Sequence, residues 1–395
     1  MTRSDVEVPR LPWDAADPYP FYEERRRGGD VVWDDTAQGW LVLGYEAARQ
    51  VLGGAEWTSD PMANPIALAG LDPISLQFSG RSMLVSDGPT HQRLRGSVRD
   101  VFTRTFVTGL AEGVEAIASA VIDAPEPDTE FDFMSHIALP IPVCVIAEWL
   151  GLDADTTELL AERSPAIIRM LGTLADTAET RAGTAAAAEL MGEFLPMAAD
   201  RRRNPRDDLL SFIAGDPELE LEDVVITAIL IAVAGYETTA NLLGAGLIRL
   251  LHARPDGSRL ADHIDAADPA VVTELLRLDS PVQAALRTAT RDTRVGDTDI
   301  AAGSTALVVL AAANRDPAVF RDPSAFRLDR TGPAPLTFGY GAHHCLGASL
   351  ARIEITTALP RILARKPQLT GVPVWRDAPA IRGALTVPVV FRTRR

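Results

Sequence analysis

Residues 338–347 read FGYGAHHCLG, and they place Cys345, one of only two cysteines in the chain, among glycines and histidines. The letters that follow it, LGASLARIEITTAL, have strong helical character, so the thiol should lie at or near a helix N-terminus. The partial positive charge at such an end favours thiolate over thiol. Gly339, Gly341 and Gly347 supply unusual backbone angles and let a flat, bulky group approach the backbone closely.

Several kinds of site would account for this cysteine. A structural zinc site usually needs four ligands in two spaced pairs, and no second pair of Cys or His stands nearby. Catalytic cysteine chemistry needs a base and an oxyanion hole, and the sequence shows neither clearly. A haem-iron ligand and an inert thiol in a glycine-rich turn both stay open at this point.

The composition limits the class of protein. The chain has 395 residues, 47% apolar and 23% charged, which is ordinary for a globular protein of one large domain or two smaller ones. A formal net charge of −16 argues against non-specific binding to nucleic acid or to an anionic membrane. Two cysteines make no disulfide framework, and the N-terminus shows no signal-peptide pattern. The longest strongly apolar run, residues 224–235, is far shorter than the roughly 20 residues that span a bilayer. We therefore expect a cytoplasmic protein.

The residue pattern predicts a mainly α fold with a smaller β portion. Residues 31–33 and 40–43 read as the two strands of a small hairpin. Amphipathic helical segments dominate from about residue 111 to residue 366, interrupted by a β-like stretch at 305–310. A last β-like stretch at 387–391 closes the chain. The letters RRRNPR at 201–206 indicate a solvated helix end followed by a turn, rather than a domain linker.

Residues 234–239 read AGYETT and end an apolar run. A carboxylate and two hydroxyls break into what otherwise reads as a buried helix. Threonine hydroxyls that bond backward to carbonyls can open the helical ladder, and such a site would hold water and protons inside an apolar wall. The alternative is an ordinary helix that passes from buried to exposed.

Two charged pairs complete the candidate residues. Glu274 and Arg277 lie three apart on one helix face, where they can pair, although this spacing is common elsewhere in the chain. His91 and Arg95, in HQRLR just after a turn, lie four apart and could clasp an anionic group. The alternative for that second pair is a solvated basic helix.

The order of these motifs along the chain is more specific than any one of them. HQRLR, AGYETT, Glu-x-x-Arg and the cysteine segment together strongly resemble the cytochrome P450 superfamily of haem-thiolate monooxygenases, in its soluble bacterial form. The resemblance runs from about residue 17 to the end and includes ANRDP at 313–317 and FRLDR at 326–330. It implies the cytochrome P450 fold in a single large haem-binding domain over residues 1–395.

Within that domain, the resemblance implies a haem-ligand loop at about 338–347 and an oxygen-activation helix at about 222–252. The cofactor would be haem b, iron protoporphyrin IX, with Cys345 as the thiolate axial ligand. A thiolate pushes electron density onto iron and favours O–O cleavage. Phe338 would pack beside the ligand, and Gly347 belongs to the same cofactor-binding loop. The residues that match the haem-propionate positions are His91, Arg95, Arg287 and His343.

Other positions match the family's internal support and its oxygen site. Glu274 and Arg277, with Arg330 as third member, match a structural ion-pair network beneath the haem-binding core. Glu237 and Thr238 match an acid–alcohol pair, in which Thr238 assists oxygen activation and Glu237 relays protons. His344 has no assigned role.

The resemblance implies that one oxygen atom of dioxygen is inserted into a small apolar or mixed-polarity organic substrate. Electrons would come from a ferredoxin and its NAD(P)H-dependent reductase, docked near Cys345, with Arg352 as a contributor. A haem-thiolate oxidase that couples or rearranges its substrate without oxygen insertion is an alternative. A non-catalytic haem sensor or carrier is another, against which the Glu237–Thr238 pair weighs. By family analogy the substrate pocket takes residues from segments 60–80 and 165–180, together with Leu230, Val233, Ala234, Val282, Ala284 and Leu385.

Overall fold

The computed structural model describes residues 10–64, 80–172 and 177–392, with the backbone alone described at residue 177. Its helices, in chain order, are α1 (Tyr19–Arg26), α2 (Tyr45–Gly53), α3 (Gly88–Arg99), α4 (Arg104–Gly109), α5 (Ala111–Asp123), α6 (Pro140–Leu150), α7 (Ala154–Leu171), α8 (Thr177–Arg203), α9 (Leu209–Ala214), α10 (Leu221–Leu251), α11 (Pro269–Leu278), α12 (Leu310–Ala313) and α13 (Ala348–Ala364).

The strands take up a smaller part of the chain than the helices. In chain order they are β1 (Val31–Asp34), β2 (Gly39–Val42), β3 (Trp57–Thr58), β4 (Glu130–Asp132), β5 (Ala285–Ala289), β6 (Thr293–Val295), β7 (Thr298–Ile300), β8 (Thr305–Val308), β9 (Pro367–Leu369), β10 (Val374–Trp375), β11 (Ala384–Thr386) and β12 (Pro388–Phe391). The predicted fold class, mainly α with a smaller β portion, is confirmed.

The largest sheet joins strands from residues 31–58 to strands from residues 285–308. Its strand order is β1-β2-β8-β5-β3, in which β1 and β2 form the predicted hairpin and β8 lies parallel to β2. Strands β5, β6 and β7 fall inside the region expected to be helical, so that expectation was wrong there. The ALRTA sequence of β5 lacks the alternation of apolar and polar residues that marks a half-buried strand.

Helix α10 passes through the interior of the protein. It begins at a capping box, in which the Glu220 N–H donates to the side chain of Asp223. Its apolar window has a mean hydropathy of 1.5, and 78% of that window is buried inside the protein. The helix is therefore longer than the run at 224–235 suggested, and its burial is that of a core helix.

The helix after the cysteine, α13, packs in the same core as α10. Ile355 and Leu359 of α13 cluster with Ala240 and Leu243 of α10. Burying such side chains stabilises the fold by about 1.5–3 kcal/mol each. This packing joins the helix that carries the AGYETT segment to the helix that follows the cysteine loop.

The RRRNPR segment differs from its prediction. Helix α8 ends at Arg203, where a turn follows, but Arg201 is only 4% exposed. Its Nε donates to Asp208 Oδ2 over 2.7 Å, and its Nη2 donates to the carbonyl of Gly151. The expectation of a solvated end was wrong for this arginine, because its carboxylate partner lies seven residues further along the chain.

Candidate active site

The cysteine loop is shaped by two glycines and closed by a backbone hydrogen bond. Gly339 and Gly341 have φ of +71° and +76°, where side chains are strained, and a Cβ on Gly341 would lie 2.8 Å from the carbonyl oxygen of Leu52. The Cys345 N–H donates to the carbonyl of Phe338 over 2.8 Å. Helix α13 then begins at Ala348, so the thiol does precede a helix N-terminus.

The Cys345 side chain is surrounded by protein atoms but is not fully enclosed. Its position deep among protein atoms raises the pKa of the thiol, while a hydrogen bond from the Gly347 N–H lowers it. The net pKa of the thiol is above the usual value because burial outweighs this hydrogen bond. Cys345 nevertheless has exposed surface, and no described atom lies within 4 Å of a Cβ built on Gly347. A flat group therefore has room beside the sulfur.

Basic side chains from three separate segments meet near this loop. His91 of α3 is buried, its ring lies 4.4 Å from the ring of His343, and its Nε2 has no hydrogen-bond partner among the described residues. Arg287 of β5 is 8% exposed, donates to its neighbour Leu286, and forms no ion pair with a described carboxylate. Burial lowers the pKa of both side chains. A buried charge is costly unless it is paired, so basic groups in this setting are stabilised when an anionic ligand binds beside them.

Two further contacts connect this basic cluster to the cysteine loop. Arg95 Nη2 donates to the carbonyl of His344 over 2.6 Å, and burial lowers the pKa of this guanidinium. Thus His344 contributes a backbone acceptor. His343 Nε2 lies 2.8 Å from Asp87 Oδ1, a contact that sequence reasoning missed. The structure therefore brings His91, Arg95 and His343 together, as the family pattern implied.

One face of helix α10 is open although the rest of the helix is buried. Leu230, Ala234 and Thr238 follow each other at four-residue intervals and retain accessible surface, Ala234 most of all. Thr238 Oγ1 donates to the carbonyl of Ala234 over 3.0 Å, and Thr239 Oγ1 donates back to Gly235. The helix stays α-helical throughout, so the hydroxyls do not open its ladder here. This face is therefore an accessible stripe along the middle of the helix.

Glu237 faces a different partner from its neighbour Thr238. It is 1% exposed, and its Oε2 accepts from Arg376 Nη1 over 2.7 Å. Its Oε1 is buried without a hydrogen-bond partner among the described residues. Arg376 follows strand β10, 139 residues further along the chain, and no local pattern in the sequence indicated it.

The ion-pair network at Glu274 has the three members that were predicted. Arg277 donates from Nε and Nη2 to the two oxygens of Glu274, over 2.8 and 2.7 Å. Arg330 Nε donates to Glu274 Oε1 over 2.8 Å. Arg277 also donates to the backbone carbonyls of Asn314, Pro323 and Ala325. The network therefore ties α11 to the segment that leads into the cysteine loop.

Comparison with known proteins agrees with this geometry. A family model described as cytochrome P450 matches residues 269–365. Across 397 aligned residues, the chain is 34% identical to the cytochrome P450 monooxygenase PikC of Streptomyces venezuelae, covering 96% of this chain and 92% of that one. The chain belongs to the cytochrome P450 superfamily.

Two further similarities extend over most of this P450. The 6-deoxyerythronolide B hydroxylase of Saccharopolyspora erythraea is 32% identical, with 89% of each chain covered. The crystal structure of CYP164A2 from Mycobacterium smegmatis matches with a TM-score of 0.84 at 30% identity, covering 95% of this chain and 96% of that one. This P450 is an oxidoreductase of the monooxygenase class with haem as its cofactor.

The residues present fit haem. Cys345 has exposed surface in a loop where Gly347 faces open space, and His91 and Arg287 form no ion pair with a described carboxylate, so two propionates would supply their missing anions. A zinc site has no support, since no group of three or more His, Cys, Asp or Glu side chains converges in the described parts of the chain.

The residues expected in the substrate pocket lie in different settings. Val233 is 2% exposed and packs in the core, whereas Leu385 of β11 is 50% exposed. Val282 and Ala284 are half-buried beside the large sheet. Of the two segments named for the pocket, residues 65–79 and 173–176 lie outside the described residues.

Proposed function

We propose that this P450 hydroxylates or otherwise oxidises a small organic substrate of apolar or mixed polarity. The observation that carries the proposal is the open face of α10, on which Leu230 and Ala234 are apolar and Thr238 presents a hydroxyl. Such a wall suits an apolar ligand with few polar groups. The resemblance to a hydroxylase of 6-deoxyerythronolide B supports a substrate that carries some oxygen atoms.

The residues of the site divide into cofactor-holding and proton-handling groups. Haem, when bound, supplies the iron chemistry that activates dioxygen. Cys345 would bind its iron through the thiolate. Phe338 would pack beside this ligand, and Gly347 would leave room for the flat ring. The groups proposed to hold the propionates are His91, Arg95, Arg287 and His343.

Proton handling falls to the two neighbouring residues of α10. The Thr238 hydroxyl, now bonded to the Ala234 carbonyl, can turn toward the open face of the helix and donate there. Glu237 is anchored through Oε2 to Arg376, which leaves Oε1 as the oxygen able to exchange a proton with water. The two side chains thus have separate tasks: Thr238 holds a proton at the site, and Glu237 replaces it.

The electrons would come from a ferredoxin and its NAD(P)H-dependent reductase in the cytoplasm, with neither nucleic acid nor membrane as partner. We place the docking surface around the cysteine loop. Arg352 lies there on α13, with its guanidinium over the Phe338 ring at 5.3 Å and donating to Thr273 Oγ1. A net charge of −16 means that an acidic ferredoxin needs such local positive charge to dock.

The experiment uses the purified holoenzyme with a surrogate ferredoxin and reductase. Candidate compounds are first titrated for a change of haem spin state, and those that bind are turned over under dioxygen enriched in a heavy isotope. Mass spectrometry should find one labelled oxygen in the product for each pair of electrons consumed. An oxidised product without label would favour coupling or rearrangement. If no spin-shifting compound gave a product, the carrier alternative would replace this proposal.

A further inference from the structure

Asp87 occupies the N-cap position of α3 but does not cap that helix. Aspartate at this position usually accepts a hydrogen bond from the backbone two or three residues later. Here the side chain makes no such bond. Its Oδ2 instead accepts from Thr58 Oγ1 over 2.5 Å and from the Ser59 N–H over 2.8 Å, and its Oδ1 lies 2.8 Å from His343 Nε2. Helix capping therefore does not explain this aspartate.

The three contacts join segments that are far apart in sequence. Thr58 ends strand β3, Asp87 precedes α3, and His343 lies in the cysteine loop. Helix α3 carries His91 and Arg95, and the His91 ring rests against the His343 ring. The basic cluster lies on three segments, namely α3, the cysteine loop and strand β5. The Asp87 carboxylate thus links the first two of them.

The contacts also decide which ring atoms stay available. The bond to Asp87 occupies His343 Nε2 and fixes the rotation of the ring, while Nδ1 has no hydrogen-bond partner among the described residues. His91 Nε2 is buried and likewise unpartnered. The two imidazoles in contact therefore each keep at least one ring nitrogen without a hydrogen-bond partner among the described residues. The charge of Asp87 acts on His91, His343 and Arg287, so it also offsets the repulsion among these basic groups.

We propose that Asp87 is a positioning residue for haem, which orients His343 against His91 so that the basic cluster is arranged to receive the propionates. The inference rests on the proposed assignment of those basic residues. Asp87 acts through His343, as carboxylates behind metal-ligating histidines do, where their loss typically costs about 10–100-fold in affinity.

The test measures how fast haem leaves the holoenzyme for an excess of apomyoglobin. Asp87→Ala should speed this transfer by about tenfold or more. The transfer rate of Asp87→Asn should lie between those of Asp87→Ala and wild type. Its remaining side-chain oxygen can still accept from His343, but its NH2 group cannot accept the hydrogen bond that the Ser59 N–H donates. Asp100→Asn is the matched control, since Asp100 is exposed at the other end of α3 and its loss changes the net charge equally.

A second measurement separates positioning from simple support of the fold. The haem reduction potential should rise in both Asp87 variants, which lose a negative charge near the cofactor. Thr58→Val keeps that charge but loosens the carboxylate, so it should speed haem transfer and leave the potential unchanged. A wild-type transfer rate in Asp87→Asn and Thr58→Val would overturn the inference, even if Asp87→Ala did not fold.

The same assay distinguishes this inference from the assignment beneath it. If His91→Phe and Arg287→Met held haem as firmly as wild type, the propionate assignment itself would be wrong. If those two variants lost haem faster than wild type while the Asp87 variants did not, only the proposed role of Asp87 would be refuted.

Discussion

Replacing Arg277 by methionine should destabilise the protein severely, because this side chain holds a buried junction together. Arg277 is 1% exposed and Glu274 is 2% exposed. The arginine donates two hydrogen bonds to Glu274 and three to backbone carbonyls. Methionine fills much of the same space but donates nothing, so the variant isolates the polar contacts.

The size of the effect follows from what is left unpaired. Removing one partner of a buried ion pair costs about 3–5 kcal/mol. Glu274 keeps Arg330 and the Arg327 N–H, which places the cost near the lower end, at about 3 kcal/mol. Ala325 O also keeps a bond from Arg330, but the carbonyls of Asn314 and Pro323 lose their donor, which adds about 1 kcal/mol or more. The expected loss is about 4 kcal/mol.

Urea unfolding of the holoenzyme, followed by circular dichroism, measures this loss. Arg163→Met is the control, because Arg163 makes a comparably short ion pair with Glu189 on the surface, and its loss should cost at most about 1 kcal/mol. Equal losses in the two variants would refute the reasoning.

The pH dependence of the same measurement gives a second check. Burial raises the pKa of Glu274, but hydrogen bonds from Arg277 and Arg330 outweigh it and hold the pKa below the usual 4.5. A carboxyl with a lowered folded pKa stabilises the protein above the unfolded pKa, and this stabilisation is lost as the pH falls through the folded pKa. The difference between wild type and Arg277→Met should therefore shrink below about pH 4.5. A difference that grew on acidification would contradict the ion-pair account.

Three further predictions concern α10 and α13. Burial raises the pKa of Glu354 to about 8, so between pH 4.5 and 8 the folded protein keeps a proton that the unfolded chain releases. The stability of the wild type should therefore fall over this pH range, by at most about 5 kcal/mol. In Glu354→Gln, the stability measured by urea unfolding should depend less on pH. An equally sloped profile would show that this carboxyl does not titrate there. In Thr238→Ala the ratio of product formed to NADPH consumed should fall while haem stays bound, and in Thr238→Ser that ratio should be restored. An unchanged ratio in Thr238→Ala would remove Thr238 from the mechanism. Arg376→Met should lower the free energy of unfolding in urea by about 3–5 kcal/mol, because it leaves Glu237 buried and unpaired. The double variant with Glu237→Gln should recover part of this loss. If it recovered none, the broken ion pair would not be the cause of the loss.

Features set by local sequence were predictable here. The hairpin of β1 and β2 follows from two apolar stretches around a turn, and the apolar run at 224–235, which reads as a buried helix, lies inside α10. The position of Cys345 before a helix followed in the same way. In each case the residues that decide the structure are neighbours in the chain.

Features set by distant contacts were not predictable. Asp87 lies in the turn that precedes HQRLR, and only the folded chain brings His343, 256 residues away, to its carboxylate. The same holds for Glu237 and Arg376, and for the burial of Arg201. Strand β5 was missed because its pairing with β8, rather than its own residue pattern, makes it a strand.

The absorption spectrum of the reduced protein with carbon monoxide tests the central claim most directly, namely that Cys345 is the thiolate ligand of haem iron. Wild type should show the strongly red-shifted Soret band of a thiolate-ligated haem, and Cys345→Ser should lose that band. Cys144→Ser is the matched control and should keep it, because Cys144 belongs to α6 and not to the cysteine loop. A thiolate-type band that persisted in Cys345→Ser would contradict the assignment.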